Sequence, residues 1–289
     1  MDMNARIERA LERSIKLSTA GGQPPRIAEA LRYAVFPGGA RIRPRLCLAV
    51  AMACGDDNPE AADAAAVAVE LIHCASLVHD DMPCFDDAAT RRGKPSVHAA
   101  YSEALALLTG DALIIAAFET IARECVASPH LIAPLVGTVA RAAGMPHGLV
   151  AGQAWESEQD APLAEYHRAK TASLFTGATV AGAIAAGADP QPWRAVGDRL
   201  GAAYQVADDL RDAAATEAEL GKPVGQDAHN GRPNAVAEGG IAATVARLQD
   251  MVLQTVAAVP DCPGAPLLRQ LIAGEAKRLM PKGLASNAA

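Results

Sequence analysis

Aromatic residues are nearly missing from this chain: Phe, Trp and Tyr together make up 3% of it, although 51% of its residues are hydrophobic. A core without large rings is filled by alanine and branched aliphatics. Alanine is the strongest helix former, and small core residues let helices approach closely and leave elongated space between them. Convincing strand signals are lacking too, since no alternating Val, Ile and Thr run is bounded by Asn-Gly or Asp-Gly. There is no basic stripe and the net charge is −7, which argues against nucleic acid as a partner. Cys47, Cys54, Cys74, Cys84, Cys125 and Cys262 show no C-x-x-C spacing. They read as free buried thiols of a reducing cytoplasm. No membrane span is expected. The most apolar stretch, Ala64 to Val78, is interrupted by Glu70 and His73 and falls short of the roughly 20 residues a bilayer requires. It reads as a buried core helix. The segment MDMNARIERALERSIKLS lacks the apolar centre of a signal peptide.

What is present is helical periodicity, from ARIERALERSIKL through AADAAAVAVELIHCASLVH, SEALALLTGDALIIAAFETIAREC and EYHRAKTASLFTGATVAGAIAAG to LLRQLIAGEAKRL. Breaks fall at Pro37–Gly39, Gly55–Pro59, Pro83–Pro95, Gly187–Pro192 and Leu220–Pro233, and Asp212 to Asn234 is the longest candidate loop. No linker divides the chain. The expectation is an all-α fold, one domain over residues 1–289.

The acidity is uneven. An apolar helix is expected to end at Asp80-Asp81, because Pro83 prevents its continuation. Asp86-Asp87 and then Arg91, Arg92 and Lys94 follow. A solvated acidic loop would explain an isolated Asp pair. Carboxylates this dense repel one another unless cations stand between them. Magnesium suits the place, because it takes oxygen ligands from one or two carboxylates and from substrate phosphates. The neighbouring guanidinium groups suit diphosphate oxygens. Further along, Gln205, Asp208, Asp209 and Asp212 lie at i, i+3, i+4 and i+7, one stripe of a helix. Two such stripes would hold several magnesium ions around one diphosphate and stabilise it as a leaving group. Lysine is scarce, which draws attention to Lys94, Lys170 and Lys222.

Together these residues resemble the trans-isoprenyl diphosphate synthases, the farnesyl and geranylgeranyl diphosphate synthases, from about Tyr33 to Asp227. The carrying motifs are Asp80-Asp81-x4-Asp86 with Arg91-Arg92-Gly93-Lys94, and Tyr204-Gln205-x-x-Asp208-Asp209-x-x-Asp212. Lys170-Thr171 looks like the family's Lys-Thr pair, and Gly152-Gln153-Ala154-Trp155-Glu156 like its Gly-Gln-x-x-Asp element, with Glu156 for Asp. His73 and Arg43 match residues that hold isopentenyl diphosphate. Ala40 departs from the pattern, standing where the family has a lysine, and Arg41, Arg43, His73 and Arg92 are expected to supply that charge. The wording FPGGARIRP, GQAWESE and GKPVGQD is most similar to geranylgeranyl diphosphate synthases of bacterial carotenoid pathways.

The resemblance implies the isoprenoid synthase fold, a single large helical bundle around a deep central cavity, with the two aspartate groups facing each other at its mouth. It implies two or three Mg2+ ions held by Asp80, Asp81, Asp86, Asp208, Asp209 and Asp212. Arg91, Lys170 and Lys222 would bind the allylic diphosphate, and Arg43, His73 and Arg92 would bind isopentenyl diphosphate. Gln153, Thr171 and Gln205 would line the reacting carbons. A cytoplasmic homodimer is implied as well. At about 1.5 Å per residue, Ala75 and Ser76 stand roughly 6–8 Å below Asp80 on its helix. Small residues at that floor favour a twenty-carbon product, with the fifteen-carbon farnesyl product as the alternative. A class I terpene cyclase would need no second diphosphate pocket, and a non-catalytic subunit would not keep both aspartate groups.

Overall fold

The computed structural model describes residues 2–21, 24–36, 38–56, 58–160, 162–214 and 235–279, without the side chains at positions 163, 212, 214, 235, 237, 238 and 276–279. Two compact units form. Unit 1 comprises Met1–Ala140 with Val180–Asp189, and unit 2 comprises Arg141–Thr179 with Pro190–Ala289.

Unit 1 is organised on α4 (Pro59–Asp80). The side chain of Asn58 caps its start by accepting from the Ala61 amide. Pro59 occupies the first turn, where its missing N–H costs nothing. Alanines at 61, 62, 64, 65, 66 and 68 are buried, so neighbours close in on all sides. Those neighbours are α1 (Met3–Ser18), α2 (Pro25–Val35), α3 (Ile42–Cys54) and α6 (Glu103–Glu124). On α1, Ile7, Leu11, Ser14 and Ile15 form the buried stripe, and the Ser14 and Thr120 hydroxyls pair at 2.7 Å. Both α4 and α6 are long and apolar enough to cross a membrane. The most apolar window of α4 is 78% buried inside the fold and that of α6 44%, so α4 is the core helix expected from its sequence.

Strand structure is not wholly absent. Thr90–Arg91 (β1) pairs antiparallel with Lys94–Pro95 (β2). The turn between them places Arg92 at φ 53° and Gly93 at φ 75°, the two left-handed residues of a type I′ hairpin. The hairpin was unreadable as strand because only two residues a side take part. It leads into α5 (Val97–Ala100).

In unit 2, α7 (Ile132–Ala143) ends and α8 (Leu149–Trp155) and α9 (Leu163–His167) follow. A π-helical turn over Arg168–Ala172 separates α9 from α10 (Ser173–Ala185), where periodicity alone suggested one unbroken helix. Next come α11 (Gln191–Ala214), α12 (Ala235–Ala257) and α13 (Ala265–Leu279). The core between α11 and α12 is Ala203, Val206, Ala207, Leu210 and Leu248. Full burial of each leucine contributes about 1.5–3 kcal/mol. Of the expected loop from Asp212 to Asn234, the first three residues continue α11, and 215–234 lie outside the described residues.

All six cysteines are free. Cys47, Cys74 and Cys125 are buried as expected, and burial pushes the Cys74 thiol up to about 12. Cys84 instead is exposed, between Pro83 and the second Asp pair.

Candidate active site

Within unit 1, the end of α4 and the loop after it gather the first aspartate group. The Asp86 amide donates to the Asp80 carbonyl at 3.0 Å and the Ala88 amide to the Asp81 carbonyl at 3.1 Å, folding the loop back on the helix end. Asp80 is half-buried, Asp86 exposed and Asp81 buried. The hairpin delivers Arg91 to Asp81: Nε donates to Oδ1 at 2.9 Å and to Oδ2 at 3.2 Å, and Nη2 also reaches Oδ1. Burial raises the Asp81 carboxyl above the usual range, and Arg91 offsets part of that rise. Burial works against the Arg91 charge as well, but Asp81 outweighs it and the guanidinium is held above its ordinary value. The two residues thus form a fork-to-carboxylate pair.

A second, cationic face of unit 1 joins three residues of the sequence reading. Arg43 Nη1 lies 3.4 Å from His73 Nε2. The Arg92 guanidinium covers Gly39 so closely that a Cβ there would come within 2.8 Å of it. Burial, then Arg43, Arg92, Arg91 and Arg41, lower the His73 pKa well below 6.5. The ring is therefore neutral at physiological pH. Ala40 is exposed beside this face.

One expectation is corrected here. Arg41 is not available for a substrate. It is 5% exposed and donates to Glu8 Oε1 at 2.8 Å, Glu70 Oε1 at 2.7 Å and the Val35 carbonyl at 2.8 Å. Lys94, which its scarcity singled out, serves the backbone. Its Nζ donates to the carbonyls of Tyr33 (2.6 Å) and Phe36 (3.0 Å) at the end of α2, 3.8 Å from the Tyr33 ring centroid. A cation there also complements the helix dipole. The proposed floor residues separate as well. Ala75 is 1% exposed. Ser76 is half-buried on the face shared by His73 and Asp80, with its hydroxyl donating to the His73 carbonyl at 2.9 Å.

Within unit 2, three elements meet closely. A Cβ on Gly152 of α8 would stand 2.4 Å from the Lys170 amide nitrogen, and one on Gly201 of α11 2.3 Å from the Ala172 Cα. Only glycine lets α8 and α11 press on the π turn from these positions. The turn carries Lys170 and Thr171, and π turns recur where a helix must present side chains out of register. Lys170 Nζ donates to Glu156 Oε1 in a short ion pair. The same carboxylate accepts from Gln153 Nε2 and the Tyr166 hydroxyl, each at 2.7 Å. Thr171 Oγ1 donates to Gln205 Oε1 at 2.8 Å, and Gln205 Nε2 donates to Asp209 Oδ1 at 3.0 Å. Asp209 is buried, whereas the Asp208 side chain is 42% exposed and accepts from Arg211 Nη2 at 2.7 Å. The backbone of Asp212 continues the helix. Its side chain and the whole of Lys222 lie outside the described residues.

Tyr166 and Arg211 were missed by sequence reasoning. Arg211 left a legible signal, its i+3 spacing from Asp208. Tyr166 left none, because its partner Glu156 is ten residues away across a turn.

The donors are all carboxylate oxygens. Among the described residues no three His, Cys, Asp or Glu stand together as a ready cage. That composition fits magnesium, which needs one or two carboxylates and completes its shell with water and phosphate. It lacks the cysteine and histidine ligands that dominate structural zinc sites.

Residues 24–261 match the Polyprenyl synthetase family. A geranylgeranyl diphosphate synthase of Cereibacter sphaeroides is 53% identical over 286 residues, 99% of each chain. One from Rhodobacter capsulatus is 50% identical over 280 residues, 97% of each. Among solved structures, a geranyltransferase from Helicobacter pylori complexed with magnesium and isoprenyl diphosphate superimposes with a TM-score of 0.78 at 26% identity, over 95% of this chain and 97% of that one.

Proposed function

The chain belongs to the polyprenyl synthetase family, and we propose from this that it condenses isopentenyl diphosphate head-to-tail with dimethylallyl, geranyl and farnesyl diphosphates to give geranylgeranyl diphosphate. The observation that carries the reading is the 53% identity to a synthase of that product over 99% of both chains, a span that includes both aspartate groups. The family match runs through both units, which supports treating residues 1–289 as one polyprenyl synthase domain.

In this reading Asp80, Asp86 and Asp208, supported by Asp81, Asp209 and Asp212, would hold two or three magnesium ions. Bound there, magnesium would supply positive charge that stabilises the leaving diphosphate. Arg91, Lys170 and Lys222 bind that diphosphate. Lys170 turns from Glu156 toward it, and Arg91 keeps the hairpin docked through Asp81. Ionisation breaks the allylic C–O bond and the diphosphate keeps the electron pair. Arg43, neutral His73 and Arg92 hold isopentenyl diphosphate, whose double bond attacks the allylic carbon. A proton then passes to the released diphosphate and restores a double bond. The oxygens of Gln153, Thr171 and Gln205 turn dipoles toward the cation; the Thr171–Gln205–Asp209 chain orients the latter two and Glu156 holds the Gln153 amide. The small-residue cavity expected from the sequence would keep water away from it.

A homodimer is the assembly we favour, since α6 carries exposed Leu107, Leu108 and Ile115 on a helix only half covered by its own fold. Six free thiols agree with a cytoplasmic setting.

The deciding experiment incubates the protein with MgCl2, isopentenyl diphosphate and a labelled allylic diphosphate, then separates products by chromatography. Linear twenty-carbon prenyl diphosphate is the expected product. A fifteen-carbon end point would replace the product assignment with farnesyl diphosphate. Cyclised hydrocarbon, or no consumption of isopentenyl diphosphate, would overturn the reading.

A further inference from the structure

Arg211 has no place in the scheme above, yet it is built into the second aspartate group. It lies on α11 three residues after Asp208 and seven after Tyr204, so all three share one helix face. Its Nη2 donates to Asp208 Oδ1 at 2.7 Å, and its Cζ stands 5.4 Å from the Tyr204 ring centroid. The Tyr204 ring is itself braced by Phe175 at 5.1 Å. The guanidinium is therefore held in place by packing as well as by charge, with 27% of its side chain exposed. Its Nε is buried without a hydrogen-bond partner among the described residues, so Asp208 does not use its full donor capacity.

We propose that Arg211 is a positioning residue that makes metal binding at Asp208 depend on diphosphate. The proposal rests on Asp208 being a magnesium ligand. Without metal, Arg211 pairs with Asp208 and offsets its charge. A magnesium ion taking Asp208 removes Arg211's partner and sets a dication beside a packed guanidinium. Like charges at such separation oppose binding. A diphosphate reverses the balance, because its oxygens ligate the metal and accept from the released guanidinium together. Metal and diphosphate then strengthen each other's binding by the same factor, as linkage requires. Metal alone would leave the carboxylate with the arginine.

The test uses the full-length protein and calorimetric titration with MgCl2, with and without inorganic diphosphate, repeated by electron paramagnetic resonance with Mn2+. In the unaltered protein diphosphate should raise metal affinity by about tenfold or more, within the usual range of such coupling. Arg211→Gln should bind metal alone several-fold more tightly and lose most of the coupling. Arg211→Lys, which keeps the charge, should restore it. Unchanged or weaker metal binding by Arg211→Gln, or an undiminished coupling factor, would overturn the proposal. If Arg211→Gln does not fold, Arg211→Lys decides: coupling below one third of the original would refute a role based on charge. Failure of the proposal is separable from failure of the functional reading, since the unaltered protein would still elongate allylic diphosphates in the product assay.

Discussion

Replacing Arg41 by Met should destabilise the protein rather than starve it of substrate. Arg41 lies between Glu8 and Glu70. The two acids contribute unequally. The Glu8 side chain is 42% exposed, so its pairing is worth about 1 kcal/mol or less. Glu70 is 2% exposed, and removing Arg41 strands its carboxylate inside the protein. Breaking one side of a buried pair costs about 3–5 kcal/mol. The left-handed backbone at residue 41, φ 50°, is equally strained for Arg and Met and cancels. At roughly 2–4 °C per kcal/mol for a chain approaching this size, Tm should fall by about 10 °C in a circular-dichroism melt. Arg41→Met with Glu70→Gln should recover much of the loss, because no buried charge is left without a partner. At 20 °C, where the variant remains folded, KM for isopentenyl diphosphate should stay within about twofold of the original. Arg43→Gln should do the opposite, raising that KM about tenfold or more with little change in Tm, the signature of a lost ligand contact. The reasoning fails if Arg41→Met melts within 2 °C of the unaltered protein while its KM climbs.

Gly152→Ala should cost about 1–3 kcal/mol, since the new methyl meets backbone of the π turn. The displaced Lys170 and Thr171 should lower kcat by roughly a hundredfold, the scale of a 1 Å misplacement, and a variant with normal melting and turnover would show that the contact yields freely. Ser76→Phe should shorten the product toward fifteen carbons with little loss of stability, whereas Ala75→Phe should also destabilise by about 1–3 kcal/mol because that site is closed. Chromatography showing twenty-carbon product from both would place the floor elsewhere. His73 stays neutral in the fold, so its pKa is depressed below the unfolded value near 6.5. Below pH 6.5 the unfolded chain takes a proton that the folded chain refuses, and stability drops as pH falls, by about 1 kcal/mol between pH 6.5 and 5.5. Urea titrations at the two pH values should show that slope shrink in His73→Gln, and an equal slope would mean the ring titrates normally in the fold.

The primary structure by itself determined the local features. Alanine content and three-to-four spacing dictated helices, because those patterns depend only on the geometry of the helix they create. Pro83 dictated the end of α4 at Asp80 and so the position of the first aspartate group. The spacing of Gln205, Asp208 and Asp209 put their side chains on one helix before any neighbour was known. Only the tertiary structure decided which charges are available. Arg41 and Arg43 look equivalent in ARIRP, yet one is claimed by Glu8 and Glu70, 33 and 29 residues away, and the other reaches His73. Lys94, beside the aspartates in sequence, is claimed by a carbonyl 61 residues away. The π turn that carries Lys170 likewise depends on two glycines from other helices. A charge's role follows from its long-range partner and its depth from water, and neither is written in the spacing of its neighbours.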